Sequence, residues 1–246
     1  NLNSPIQYNK SEHTFIDYYV NNYSKFLSET AGVKSPNNDG IINFLNTSNN
    51  FLETSSLLRP ILISFLSNSN KASLNVETDK LLKTVNIETP RGQTVLSELI
   101  DIFDVYQMDE YKSKYLSLAK NLKCTITDRL ASTLKSNANI EMGAVFPNYK
   151  FQSPVNTTAK SLHDIKADKK VVVFWSSTCS HCESELPKLL EKYNDLKSKN
   201  IQIVGLSLDV DKNSYTKKIA AFPWVNDSEL RGWNSSYTDL YNIQDR

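Results

Sequence analysis

The chain has 246 residues, 39% of them apolar, which suits two modest hydrophobic cores better than one and gives no sign of general disorder. Twenty-eight lysines and arginines against 27 aspartates and glutamates leave a formal net charge of +1 without a basic stripe, so nucleic acid is not an expected partner. The longest apolar run, Leu57 to Leu66, is interrupted by Arg59 and Pro60 and is too short to span a bilayer.

Asn1 to Lys10 has neither the basic start nor the apolar run of a signal peptide, so any membrane anchor is expected only in a segment preceding this sequence. From Ser11 to about Ala138 apolar residues recur at helical intervals: Phe15, Tyr19, Tyr23 and Phe26; Leu96, Leu99, Ile100 and Phe103; Tyr111, Tyr115, Leu118 and Leu122. This spacing predicts an all-helical domain over residues 1–140, with the Phe15, Tyr19, Tyr23 stripe as helix core. Clusters at Ser35-Pro36-Asn37-Asn38-Asp39-Gly40 and Thr89-Pro90-Arg91-Gly92 read as turns or caps, and Pro60 as the kink or division of a helix. Cys124, near Leu122 and Ile126, reads as a buried, unreactive thiol in a helical stretch. His13 and His163 are isolated. The six glycines are scattered and none forms a phosphate-cradling loop, so no nucleotide cofactor is expected.

At Met142-Gly143 the pattern changes. Ala144 to Phe151 is β-prone, and Ser153 to Lys170 reads as turns with a short strand or helix. Val171 then opens an apolar strand, and Ile201 to Leu208 forms a second, followed by a polar helix from Asp211 to Ala220. Two apolar strands joined by a helix imply a right-handed β-α-β unit with parallel strands, and so an α/β domain over residues 141–246.

Between those strands lies Ser176-Ser177-Thr178-Cys179-Ser180-His181-Cys182, a turn leading into a helix. Cys-x-x-Cys at a helix start lets the two sulfurs reach disulfide distance and places the first where unpaired backbone N–H groups favour an anion. Cys179 is therefore the expected nucleophile and Cys182 the resolving thiol. A structural zinc site with His181 as third ligand lacks a fourth, since no second Cys-x-x-Cys or paired histidine exists. Within the intervening Ser180-His181 dipeptide, a partly positive His181 would stabilise the thiolate. Trp175 reads as packing beside the turn, and Pro187 as a bend in the cysteine helix.

These residues resemble the thioredoxin-like superfamily, and within it the TlpA/ResA-like thiol-disulfide oxidoreductases of the bacterial cell envelope. The resemblance covers roughly Glu141 to Arg246. It rests on the opening Met142-Gly143-Ala144-Val145-Phe146-Pro147-Asn148-Tyr149, on Phe174-Trp175 ahead of Thr178-Cys179-Ser180-His181-Cys182, and on Glu185-Leu186-Pro187 beyond it. It implies Glu185 as the carboxylate that takes the Cys182 proton, because the buried aspartate of cytosolic-type thioredoxins is replaced here by Val173. The family's cis-proline loop normally follows a segment like Asp239-Leu240-Tyr241-Asn242-Ile243, and here it is not reached by Arg246. The expected thioredoxin-like domain is thus incomplete at its C-terminus, with an uncovered sheet edge.

The function implied is a thiol-disulfide oxidoreductase that needs no cofactor, takes protein thiols and disulfides as substrates, draws on an upstream thiol reductant and works as a reductase. The resemblance places it in the bacterial envelope, exported. The alternatives are a partner-binding module on a thioredoxin-like scaffold and, because of the Ser-His dipeptide, a thiol oxidant. Copper delivery would need a wider cysteine spacing and a downstream histidine, and peroxidase chemistry a Pro-x-x-x-Thr-x-x-Cys arrangement; both are absent.

Overall fold

The computed structural model describes residues 13–27 and 37–244. The opening segment, Ser35 and Pro36 of the first turn cluster, and the last two residues lie outside the described residues. The chain divides into two units, the second being Ser136–Ile243.

The first unit is helical: α1 (Thr14–Leu27), α2 (Asn38–Thr47), α3 (Phe51–Thr54), α4 (Leu58–Asn68), α5 (Leu74–Val85), α6 (Pro90–Val105), α7 (Asp109–Lys120) and the larger part of α8 (Asp128–Asn139). The turn clusters act as caps. Asn37 accepts from the Gly40 amide at 2.9 Å and Thr89 from the Gly92 amide at 3.1 Å, with Pro90 at the first helical position, where its missing N–H has no intrahelical partner to lose. Gly92 is required by packing, because a Cβ there would lie 2.1 Å from the Asn86 carbonyl oxygen. On α6, Leu96, Leu99, Ile100 and Phe103 are all fully buried, each worth ~1.5–3 kcal/mol.

Three expectations for this unit are corrected. Pro60 neither kinks nor divides a helix: it sits in the first turn of α4, and α3 ends before it at a break where Ser56 has φ +56°. The aromatic stripe is mostly on the surface: Phe15, Tyr19 and Tyr23 are exposed, while Phe26 and Tyr18 face the core. Tyr19 and Tyr23 stack on each other and Phe15 lies edge-on to Phe51, so the rings cover one another. Cys124 lies in the loop between α7 and α8 rather than in a helix, half-buried, with Gln93 Nε2 3.4 Å from its sulfur.

The second unit contains β1 (Lys169–Trp175), α9 (Ser180–Ser198), β2 (Ile201–Ser207), α10 (Lys212–Ile219), β3 (Val225–Asp227) and α11 (Ser236–Leu240). The sheet order is β1-β2-β3, parallel throughout, with Val173 opposite Gly205 and Trp175 opposite Ser207. Alternation along the strands sends Val172, Phe174, Val204, Leu206 and Val225 to one face, with Tyr149, Leu162, Tyr237 and Tyr241. Val173, Trp175, Ile203 and Trp224 go to the other, under Leu186 and Tyr193 of α9 and Tyr215 and Ile219 of α10. Both faces are covered, as parallel strands require.

Residues 144–151 do not form the expected β-structure beyond a single bridge between Lys150 and Ser161, and a 3-10 turn spans Leu162–Asp164. Beyond the two backbone bonds of that bridge, a side-chain acceptor holds residues 149–153. The Asp227 carboxylate, fully buried, accepts from Tyr149 Oη at 3.0 Å and from the amides of Gln152 at 2.9 Å and Ser153 at 2.7 Å. Among the described residues β1 forms one margin of the sheet, with Val171 exposed.

Candidate active site

The turn from β1 into α9 emerges at the C-terminal ends of the parallel strands, where open α/β sheets place their ligands. Cys179 caps α9: its sulfur accepts from the Cys182 amide at 3.2 Å, the position usually held by a serine or aspartate oxygen. Both cysteines are half-buried. Hydrogen bonding from the Cys182 thiol, and then from the Cys182 and His181 amides, holds the Cys179 thiol below its ordinary range. Cys182 moves the other way. Burial pushes it up, its bond to Cys179 adds to this, and the Ser176 amide opposes it. The two thiols are therefore shifted in opposite directions, Cys179 toward the thiolate and Cys182 toward the protonated form.

The remaining expected residues divide. His181 contributes through its main-chain amide, and its ring is exposed. Ser180 is the exposed first residue of α9. Trp175 is buried, stacked on Tyr215 at 6.1 Å and edge-on to Phe222 at 5.6 Å, so it packs behind the turn. Pro187 lies inside α9, where it has no N–H for the Glu183 carbonyl. Glu185 is not brought to Cys182. It is exposed and bonded to Lys188 Nζ at 2.6 Å, and that bond lowers its pKa. A surface carboxylate paired with an ammonium is a poor proton acceptor for a half-buried thiol.

A residue that the sequence did not single out stands behind the turn. Asp209 is 4% exposed, and its Oδ1 accepts from Ser176 Oγ at 3.0 Å, the Ser177 amide at 2.9 Å and Ser177 Oγ at 2.6 Å. Its Oδ2 accepts from Ser207 Oγ at 2.6 Å. The signal that would have found it is register. Trp175 pairs with Ser207, so the residues just past each strand emerge side by side, and the Leu208 amide donates to the Trp175 carbonyl at 2.7 Å.

Among the described residues no three metal-capable side chains gather in one place, and no helix is long and apolar enough to cross a membrane. Residues 142–232 match the model of the AhpC/TSA family. Over 135 residues the chain is 25% identical to the thiol-disulfide oxidoreductase ResA of Oceanobacillus iheyensis, an alignment covering 50% of this chain and 65% of that protein. No solved structure matches the chain. The C-terminal part of the chain is thus thioredoxin-like: residues 142–232 match the AhpC/TSA family, and the chain is similar to ResA over 135 residues.

Proposed function

We propose that this chain exchanges protein disulfides through Cys179 and Cys182 and runs as a reductase. The observation that carries this reading is the helix-capping position of the Cys179 sulfur with the opposed tuning of the two thiols, which favours Cys179 as the nucleophile and its half-buried partner as the later resolving group. The Cys179 thiolate attacks one sulfur of a substrate disulfide, forming a mixed disulfide and expelling the other sulfur as a thiolate. Cys182 then loses its proton and attacks Cys179 Sγ. The second substrate thiolate leaves, and two electrons have passed from the cysteine pair to the substrate. A thiol reductant must restore the pair before the next cycle.

The likeness to a protein named a thiol-disulfide oxidoreductase supports the exchange chemistry; the reducing direction and a place in the bacterial envelope are what the resemblance of residues 141–246 to the TlpA/ResA-like family implies. The test is the reduction potential of the pair, measured by equilibration in dithiothreitol or glutathione buffers with thiol trapping and Cys179→Ser as the blank. A value of about −250 mV or below is expected of a reductase. A value of about −130 mV would make the chain an oxidant, and no exchange at all would remove the enzyme reading.

A further inference from the structure

Ser176 and Ser177 are the only residues between the end of β1 and Thr178-Cys179, so their conformation decides where the helix-capping sulfur sits. Ser176 is tied to both cysteines. Its carbonyl accepts from the Cys179 amide at 3.2 Å, and its own amide favours the Cys182 thiolate. Its hydroxyl oxygen lies 3.0 Å from Thr178 Oγ1 and accepts from the Thr178 amide at 3.3 Å. Three donors from Ser176 and Ser177 converge on one oxygen, Asp209 Oδ1.

The other end of Asp209 is anchored in the sheet. Ser207 Oγ donates to its Oδ2 at 2.6 Å and accepts from its amide at 3.0 Å. The Ser207 carbonyl in turn takes hydrogen bonds from Ser228 Oγ at 2.9 Å and from the buried Tyr237 hydroxyl. A continuous polar chain therefore runs from the ends of β2 and β3 to the cysteine turn, with one carboxylate as its middle link.

We propose that Asp209 is a positioning residue: by fixing Ser176 and Ser177 it holds Cys179 as the cap of α9, and so sets the reactivity of that sulfur. This deepens the oxidoreductase reading and rests on it. The Asp209 carboxylate bonds to Ser176, Ser177 and Ser207, and it acts on the thiols through the turn. A carboxylate acting instead by its charge would disfavour the neighbouring thiolate, so the two roles predict opposite effects.

The test is the rate at which iodoacetamide alkylates Cys179 in the reduced, folded full chain at fixed pH, read peptide by peptide by mass spectrometry. Folding is checked by circular dichroism. For Asp209→Ala the turn loses its anchor, and Cys179 alkylation is expected to slow about threefold or more. Asp209→Asn keeps one carbonyl oxygen for the Ser177 amide and hydroxyls and presents an NH2 to Ser207 Oγ, so it is expected to stay within about twofold of the parent. Acceleration in both variants would overturn the proposal in favour of a charge effect. An unchanged rate in folded Asp209→Ala would show that Asp209 serves stability alone.

If Asp209→Ala does not fold, the decision passes to the double variant Ser176→Ala, Ser177→Ala, which removes both hydroxyl donors and leaves the carboxylate. Slowing supports the proposal and an unchanged rate refutes it. Failure of the parent pair to exchange with glutathione would sink the oxidoreductase reading, while the alkylation comparison would still report on Asp209.

Discussion

Replacing Asp227 tests how the second unit holds its strand-poor segment. The carboxylate is fully buried, and its Oδ2 accepts from both Tyr149 Oη and the Gln152 amide, its Oδ1 from the Ser153 amide. Burial, and then the Asp227 charge, keep the Tyr149 phenol far above its ordinary titration range, so it stays a donor. In Asp227→Asn one oxygen still serves Ser153, but an NH2 group faces the Gln152 N–H, and only the tyrosine hydroxyl can turn to accept. Two hydrogen bonds to a charged acceptor, worth ~1.5–3 kcal/mol each, are lost or weakened, less what the tyrosine regains, for a net cost of about 2–4 kcal/mol. Tyr149→Phe removes a single donor and should cost less than Asp227→Asn.

The assay is urea unfolding followed by tryptophan fluorescence. All three tryptophans, Trp175, Trp224 and Trp233, lie in the second unit, so the signal reports that unit alone. An Asp227→Asn protein within about 1 kcal/mol of the parent would refute the reasoning, because it would mean that water replaces the carboxylate at little cost. The Cys179 alkylation rate of the folded variant should be unchanged.

Gly205→Ala puts a Cβ 2.7 Å from Asn226 Oδ1 and 3.0 Å from Trp175 Nε1, and the same fluorescence assay should register a loss of about 1–3 kcal/mol. Glu185→Gln should leave disulfide exchange within about twofold in stopped-flow assays; a tenfold loss would restore Glu185 as the proton acceptor. Asp101 on α6 is 5% exposed, and burial pushes its carboxyl up to about 6 despite the Arg129 guanidinium at 2.6 Å. A carboxyl that binds its proton more tightly when folded adds stability that is complete below its unfolded value of 3.8 and is lost as pH rises through about 6. At ~1.4 kcal/mol per pK unit, the parent should lose up to about 3 kcal/mol relative to Asp101→Asn between about pH 4 and pH 7. Far-ultraviolet circular dichroism during denaturation reads this, and parallel pH curves for the two proteins would contradict it.

What was legible in the sequence is what local pattern controls. The caps at Asn37 and Thr89 follow from residues three apart, the buried stripe of α6 from helical periodicity, and the parallel strands from two apolar runs too short to be anything else. The errors came where tertiary context overrides pattern. Periodicity cannot tell a helix face that meets the core from one that stays exposed, as Phe15, Tyr19 and Tyr23 do, with only ring-to-ring partners. The segment 144–151 has β-prone residues, yet outside the Lys150 bridge to Ser161 it is held through side chains, by Asp227 at Tyr149, Tyr241 at the Pro147 carbonyl and Asn148 at the His163 amide, so β-propensity alone misplaced it.

The exchange of Glu185 for Asp209 as the carboxylate of interest has the same cause. Glu185 is one helical turn from Cys182, a spacing that makes contact feasible, but it is also one turn from Lys188. Facing the half-buried thiol would mean giving up water, whereas facing the ammonium does not. Asp209 is 27 residues beyond Cys182 and shows no local relation to it. Its relation is set by strand register: with Trp175 opposite Ser207, residues two beyond each must share the same end of the sheet. A carboxylate there sits beneath two serines, three of whose donors turn to it, and its burial is offset by the donors it gathers. The reactive sulfur is thus presented by the helix start, but the place of that start is fixed from the neighbouring strand.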